Sequence, residues 1–119
     1  MNLPTLEELL KMGVHFGHQT AKRYPKAQNY IHSHRGGIHI IDLEKTQAGL
    51  KNAIEFAQKI TKSGGLILFV GSKKQARKIV AEAAKNCSMP YITGRWLGGT
   101  FTNFENIAKL TRKLERMEL

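Results

Sequence analysis

Between residues 42 and 93 the chain switches repeatedly between two hydrophobic periods, and this restricts its fold more than any other feature. DLEKTQAGLKNAIEFAQKITKS carries Leu43, Leu50, Ile54, Ala57 and Ile60 at helical spacing. Asp42 stands where a helix N-cap belongs, and Gly64-Gly65 stops the pattern. LILFV, residues 66–70, is a continuous apolar run of strand length, as in a parallel strand covered on both faces. Gly71 turns the chain. Ser72 is placed to cap a helix over 73–86, with Gln75 at the capping-box position, and PYIT, 90–93, reads as a further short strand. Strands that alternate with helices predict a parallel sheet in a layered α/β domain.

The flanks extend this order. TLEELLKM, residues 5–12, predicts a short helix with Thr5 and Glu8 as its capping box and Gly13 at its end. Residues 13–36 have no steady period and read as an ordered loop with Phe16, Tyr24 and Tyr30 as aromatic anchors. A long loop inside a compact domain is most often functional or disordered, and the aromatics favour function. GGIHIID, 36–42, predicts a strand. Thr102 and Glu105 form a second candidate capping box, opening a last helix that runs to the C-terminus. The length suits one domain.

Charge narrows the function. Lys plus Arg number 19 against 9 acids, a formal net charge of +10, which predicts a polyanionic partner, nucleic acid before membrane. No apolar run approaches a membrane span, and the acidic start MNLPTLEELLK is unlike a secretory signal. Cys87 is the only cysteine, so a disulfide framework within the chain and a cysteine-based zinc cluster are both excluded. Near a helix end it reads as a small buried apolar residue.

Four stretches could carry a site. FVGSKKQA, 69–76, is strand, glycine turn and helix start, where backbone amides favour an anion and Lys73 and Lys74 add charge. It lacks the spacing of a P-loop or a dinucleotide fingerprint. It fits a capped helix with solvated lysines, a contact with an RNA phosphate, or a nucleotide cofactor. HFGH places His15 and His18 three apart, but no third ligand stands at a metal-site spacing. The last helix carries Lys109, Arg112, Lys113 and Arg116 on one face and Ile107, Leu110, Leu114 and Met117 on another. RWLGGTFTNF, 95–104, sets Arg95 and the only tryptophan, Trp96, against two glycines. It suits either a turn with an anchor or an RNA-facing surface. No Ser/His/Asp or Cys/His arrangement and no carboxylate pair stands out, so neither an enzyme nor a cofactor is indicated.

Taken together, HFGHQT (15–20), GIHIIDLEKT (37–46), ILFVGSKKQA (67–76) and RWLGGTFTNF (95–104) resemble small-subunit ribosomal protein two of the bacterial and organellar type, in that family's order and spacing. The resemblance runs from about residue 5 to 119. It implies a three-layer flavodoxin-like parallel sheet, incomplete here, with the start of a coiled-coil protrusion. Residues 1–101 would be the N-terminal part of the α/β domain and 102–119 the first protruding helix. It implies a non-catalytic constituent of a cytoplasmic or organellar ribosome, one copy per particle and off the membrane. That constituent binds small-subunit rRNA, supports assembly and helps recruit small-subunit ribosomal protein one. Carried over by position, the RNA-facing residues are His18, Arg35, Lys73, Lys74, Arg95 and Trp96, with Thr20, Lys22 and Arg23 in the drifting loop. Arg23-Tyr24 departs from the Trp-Asn that many members carry before the proline. Family members are also much longer, so the chain is expected to be a fragment or one part of a divided protein. The alternative from another class is a nucleotide-binding flavodoxin-like enzyme domain using the Gly71 turn.

Overall fold

A computed structural model describes residues 3–118, with side chains to residue 117. Its architecture is mixed α/β, in two compact units, Met1–Gly64 and Gly65–Leu119.

The first unit opens with helix α1, Leu6–Lys11, capped as expected: Thr5 Oγ1 accepts from Glu8 N at 3.2 Å and the Glu8 carboxylate accepts from Thr5 N at 2.8 Å. Gly13, at φ +73°, closes its end. Three strands follow: β1, Phe16–Gln19, β2, Ile31–Arg35, and β3, Ile38–Ile41. They form one sheet in the order β1-β3-β2. A 3₁₀ turn, Pro25–Tyr30, joins β1 to β2. Helix α2, Leu43–Lys62, then leaves β3 through Asp42, whose Oδ1 accepts from Glu44 N at 3.0 Å and Lys45 N at 3.2 Å. Gln47 Nε2 donates to the Pro4 carbonyl at 2.8 Å, tying α2 to the start of α1.

Two expectations change here. Residues 13–36 are not a loop but hold two strands and a 3₁₀ turn. Strand β3 does not join a parallel sheet; it pairs antiparallel with both β1 and β2. The cause is local. Gly36 and Gly37 both take positive φ, +57° and +75°, the two-residue hairpin geometry that matches strand twist. These glycines are the turn, not the start of the strand, and they fold β2 back on β3 before any helix intervenes.

In the second unit, β4, Phe69–Val70, and β5, Tyr91–Ile92, pair in parallel around helix α3, Arg77–Asn86. This βαβ unit bears out the parallel expectation for its own residues. Strand β4 is shorter than LILFV, and Leu66, Leu68 and Val70 stay exposed. With one helix packed on two strands, little surface exists to cover a run suited to burial on both faces. The Ser72–Gln75 box is absent: α3 starts at Arg77 with Ala76 as an N-cap that offers no side-chain acceptor. The Lys73 carbonyl instead accepts from Ala76 N (2.9 Å) and Arg77 N (3.1 Å), closing a separate turn ahead of the helix. Cys87 is exposed rather than buried, as the C-cap of α3. Helix α4, Phe104–Glu118, begins two residues after Thr102, and its first backbone bond runs from Ile107 N to the Asn103 carbonyl. The end of the expected helix, residue 119, lies outside the described residues.

Leu9 and Ala84 are the buried apolar residues among those described, and much of the apolar stripe of α2 is only half-covered. With so thin a core, caps matter. Asp42→Ala is expected to cost about 1 kcal/mol, within the roughly 0.5–2 kcal/mol range for lost N-caps, while Asp42→Asn stays close to the parent. Urea unfolding followed by far-ultraviolet circular dichroism separates the two.

Candidate nucleic-acid interface

The basic residues singled out in the sequence fall in both units. In the first, β3 brings three of them to one sheet end, since Ile38 pairs with Gln19 of β1 and with Arg35 of β2. His18 adjoins Gln19, and Lys22 N donates to the Gln19 carbonyl at 2.9 Å. Arg23 follows, exposed, beside Tyr24. Thr20 N donates to the Gly37 carbonyl at 2.9 Å, which ties this segment to the hairpin turn.

In the second unit, β4 and β5 run parallel, so the segments after them leave the sheet at the same edge. Gly71 N donates to the Ile92 carbonyl at 2.9 Å as the last rung. Lys73 and Lys74 lie in the turn after β4, and Arg95 and Trp96 follow β5. The carboxyl edge of a parallel sheet is where α/β folds bind ligands. Lys73, Lys74 and Arg95 are exposed there.

Sequence reading missed Arg77. Its Nε donates to the Ser72 carbonyl at 3.0 Å, which clamps the turn that presents both lysines. No motif signals this contact, because it depends on the helix starting late. Close packing at Gly71 also fixes the turn: a Cβ there would lie 2.6 Å from Val80 Cγ2.

RWLGGTFTNF forms a turn with an aromatic anchor. Trp96 is half-buried and its ring meets that of Phe101 at 5.3 Å. Gly99 has φ +86°, and its carbonyl accepts from Asn103 N at 2.7 Å, launching α4. Arg95 remains exposed at its edge.

The charges are open. Among the described residues, ion pairs join Lys45 to Asp42, Lys78 to Glu82 and Lys109 to Glu105. None involves Lys22, Arg23, Arg35, Lys73, Lys74 or Arg95. Cations held at element ends without carboxylate partners are suited to phosphate.

His15, His34 and His39 contact neighbouring rings. His15 lies against the Phe16 ring, with centroids 4.1 Å apart. His34 and His39 are cross-strand partners whose Nδ1 atoms are 2.7 Å apart, so one ring donates and the other accepts. His39 is 5% exposed and its Nε2 has no hydrogen-bond partner. A Gly-Gly hairpin turn puts residues 34 and 39 opposite each other, so the signal for this pair lay in the glycines. Among the described residues no group of three or more His, Cys, Asp or Glu could hold a metal, and no helix is long and apolar enough to cross a membrane.

Comparison with known proteins gives this geometry its setting. The family profile described as "Ribosomal protein S2" matches residues 9–119. The small ribosomal subunit protein uS2 of Borrelia hermsii (strain HS1 / DAH) is 47% identical over 118 residues, covering 99% of this chain and 46% of that protein. The uS2 of Borrelia duttonii (strain Ly) is 46% identical, again over 99% of this chain and 46% of its own length. That of Borreliella burgdorferi (strain ATCC 35210 / DSM 4680 / CIP 102532 / B31) is 45% identical over 99% of this chain and 45% of its own length. The chain thus spans about half the length of the curated relatives it matches. Each relative is named as a ribosomal subunit protein and not as an enzyme. With nearly every residue from the first helix onward matched, the chain belongs to the ribosomal protein S2 family.

Proposed function

We propose that this chain binds small-subunit ribosomal RNA as part of a bacterial-type ribosome. The observation that carries this reading is the set of exposed, unpaired cations at the carboxyl edge of the parallel strands: Lys73, Lys74 and Arg95. Each phosphate they neutralise releases condensed counterions, so affinity falls with salt by about 0.7–0.9 log units per log unit for every contact. His18, Lys22, Arg23 and Arg35 add a second basic surface in the other unit, and Trp96 holds the Arg95 segment in shape. The names of the relatives and the net charge of +10 support the same setting.

Finer features belong to this reading. The βαβ unit is the start of a larger flavodoxin-like sheet within residues 1–101, which supplies the cover that Leu66, Leu68 and Val70 lack. Residues 102–119 begin a coiled-coil protrusion, and the exposed Leu110, Leu114 and Met117 await its second helix. Support for subunit assembly and recruitment of small-subunit ribosomal protein one, alongside other neighbouring ribosomal proteins, follow from the family resemblance. A nucleotide-binding enzyme is disfavoured, because the turn at Gly71 lacks the spacing of a P-loop or a dinucleotide fingerprint.

Sucrose-gradient sedimentation of cell extract tests the proposal. The chain is expected to travel with small subunits at low salt and to leave them as salt rises. Absence from the subunit peak at low salt sinks it.

A further inference from the structure

The strand β1, the 3₁₀ turn and β3 border an open cavity of about 190 Å³ lined by His18, Lys22, Tyr24, Tyr30 and His39. We propose that it receives one unpaired nucleobase of the RNA. This rests on the RNA-binding reading above and adds to it a site for a single base.

Size comes first. Sites for drug-sized ligands occupy about 300–1,000 Å³. A cavity of about 190 Å³ therefore admits one planar ring system but not a whole mononucleotide. Ile31 and Ile41 give it an apolar floor.

The lining chemistry comes next. Tyr24 and Tyr30 are 61% and 62% exposed, so both rings are open to a partner. Single-stranded RNA is bound mainly by stacking its bases on such rings. The backbones of both tyrosines are held in place. They bracket the 3₁₀ turn, with the Tyr24 carbonyl accepting from Ala27 N at 3.0 Å and the Tyr30 carbonyl from Asp42 N at 2.9 Å. The Lys45 ammonium also donates to the Asn29 carbonyl. The backbone that presents the rings therefore needs little ordering on binding, which favours affinity.

Polarity selects the occupant. Lys22 lines the cavity, Arg23 and Lys26 flank it in sequence, and no acid occurs between Glu8 and Asp42. A cationic side chain is disfavoured there, whereas a base attached to a phosphate backbone is favoured. His39 lines the cavity, but its Nδ1 is bonded to His34 and its Nε2 is buried, so the side chains open to a base edge are those of His18 and Lys22, both exposed.

The test uses the 119-residue chain and in-vitro-transcribed small-subunit rRNA as the probe. Tyr24→Ala and Tyr30→Ala are each expected to weaken binding about 10-fold, the range of a lost base–aromatic stack. The salt slope should stay unchanged, because no cation is removed. Tyr24→Phe and Tyr30→Phe keep the ring and should bind within about 2-fold of the parent. Chemical probing with the unmodified chain gives a second readout that does not depend on any variant folding. One unpaired base should become protected from chemical modification. Alanine variants that bind like the parent, or the absence of any newly protected base, overturn the base site and leave the RNA-binding reading standing. Failure of the unmodified chain to bind the rRNA at low salt removes both.

Discussion

Gly71→Ala is expected to destabilise the second unit by about 2–3 kcal/mol, at the upper end of what one added methylene costs in a packed site. The reason is a direct overlap. A Cβ at residue 71 would lie 2.6, 2.9 and 3.1 Å from Val80 Cγ2, Cβ and Cγ1. Relief requires α3 to move off the strands, and that strains the rung from Gly71 N to the Ile92 carbonyl. Glycine-to-alanine changes often stabilise by restricting the unfolded chain, so the sign of the effect is informative. Gly49 is the comparison. It lies inside α2 with nothing within 4 Å of a built Cβ, and Gly49→Ala should gain roughly 0.5–1 kcal/mol. Trp96 is the chain's only tryptophan and lies in the second unit. Its fluorescence during urea unfolding reports the Gly71 effect, and circular dichroism reports that of Gly49. Val80→Ala in the Gly71→Ala background should recover part of the loss, because it removes two of the three close atoms. A Gly71→Ala chain as stable as the parent would mean that α3 does not pack there as described.

This contrast also shows what could be read without coordinates. The caps at Thr5 and Asp42 were legible because each needs only a side chain a few residues from the amides it serves. The parallel βαβ order was legible because helical and strand periods differ. Ser72 and Thr102 satisfied the same local pattern and failed. At Ser72 a separate turn intervenes and α3 starts only at Arg77, and α4 starts at Phe104, so Asn103 rather than Thr102 stands directly before it. The antiparallel hairpin was written in Gly36-Gly37, a two-residue turn signal absorbed into a strand. Of the candidate site, the basic residues were legible singly but their grouping was not. Arg35 joins His18 only because Ile38 pairs with strands on both sides. Lys73 and Arg95 share an edge only because β4 and β5 run parallel. His39 Nε2 and the cavity beside it depend on side-chain placement, for which a one-dimensional pattern carries no signal.

Reversing both strand-end lysines, Lys73→Glu with Lys74→Glu, is expected to weaken rRNA binding about 100-fold near physiological salt. Two phosphate contacts are lost, and each should make the salt slope shallower by about one. Repulsion between the new carboxylates and the RNA adds to the loss. The effect must be separated from bulk charge, because any four-unit drop from a net charge of +10 lowers affinity somewhat. Lys51→Glu with Lys59→Glu makes the same change at exposed positions of α2 and serves as the control. A position-specific interface predicts a clear gap between the pairs and a reduced salt slope for the first alone. Equal losses with equal slopes would mean that the chain binds RNA as a diffuse cation and that the edge of β4 and β5 holds no special place. Arg77→Gln sharpens the distinction. It keeps Lys73 and Lys74 but replaces the group whose Nε donates to the Ser72 carbonyl. A built site loses affinity beyond the single charge removed when its turn is released. A diffuse one loses no more than any exposed arginine would cost.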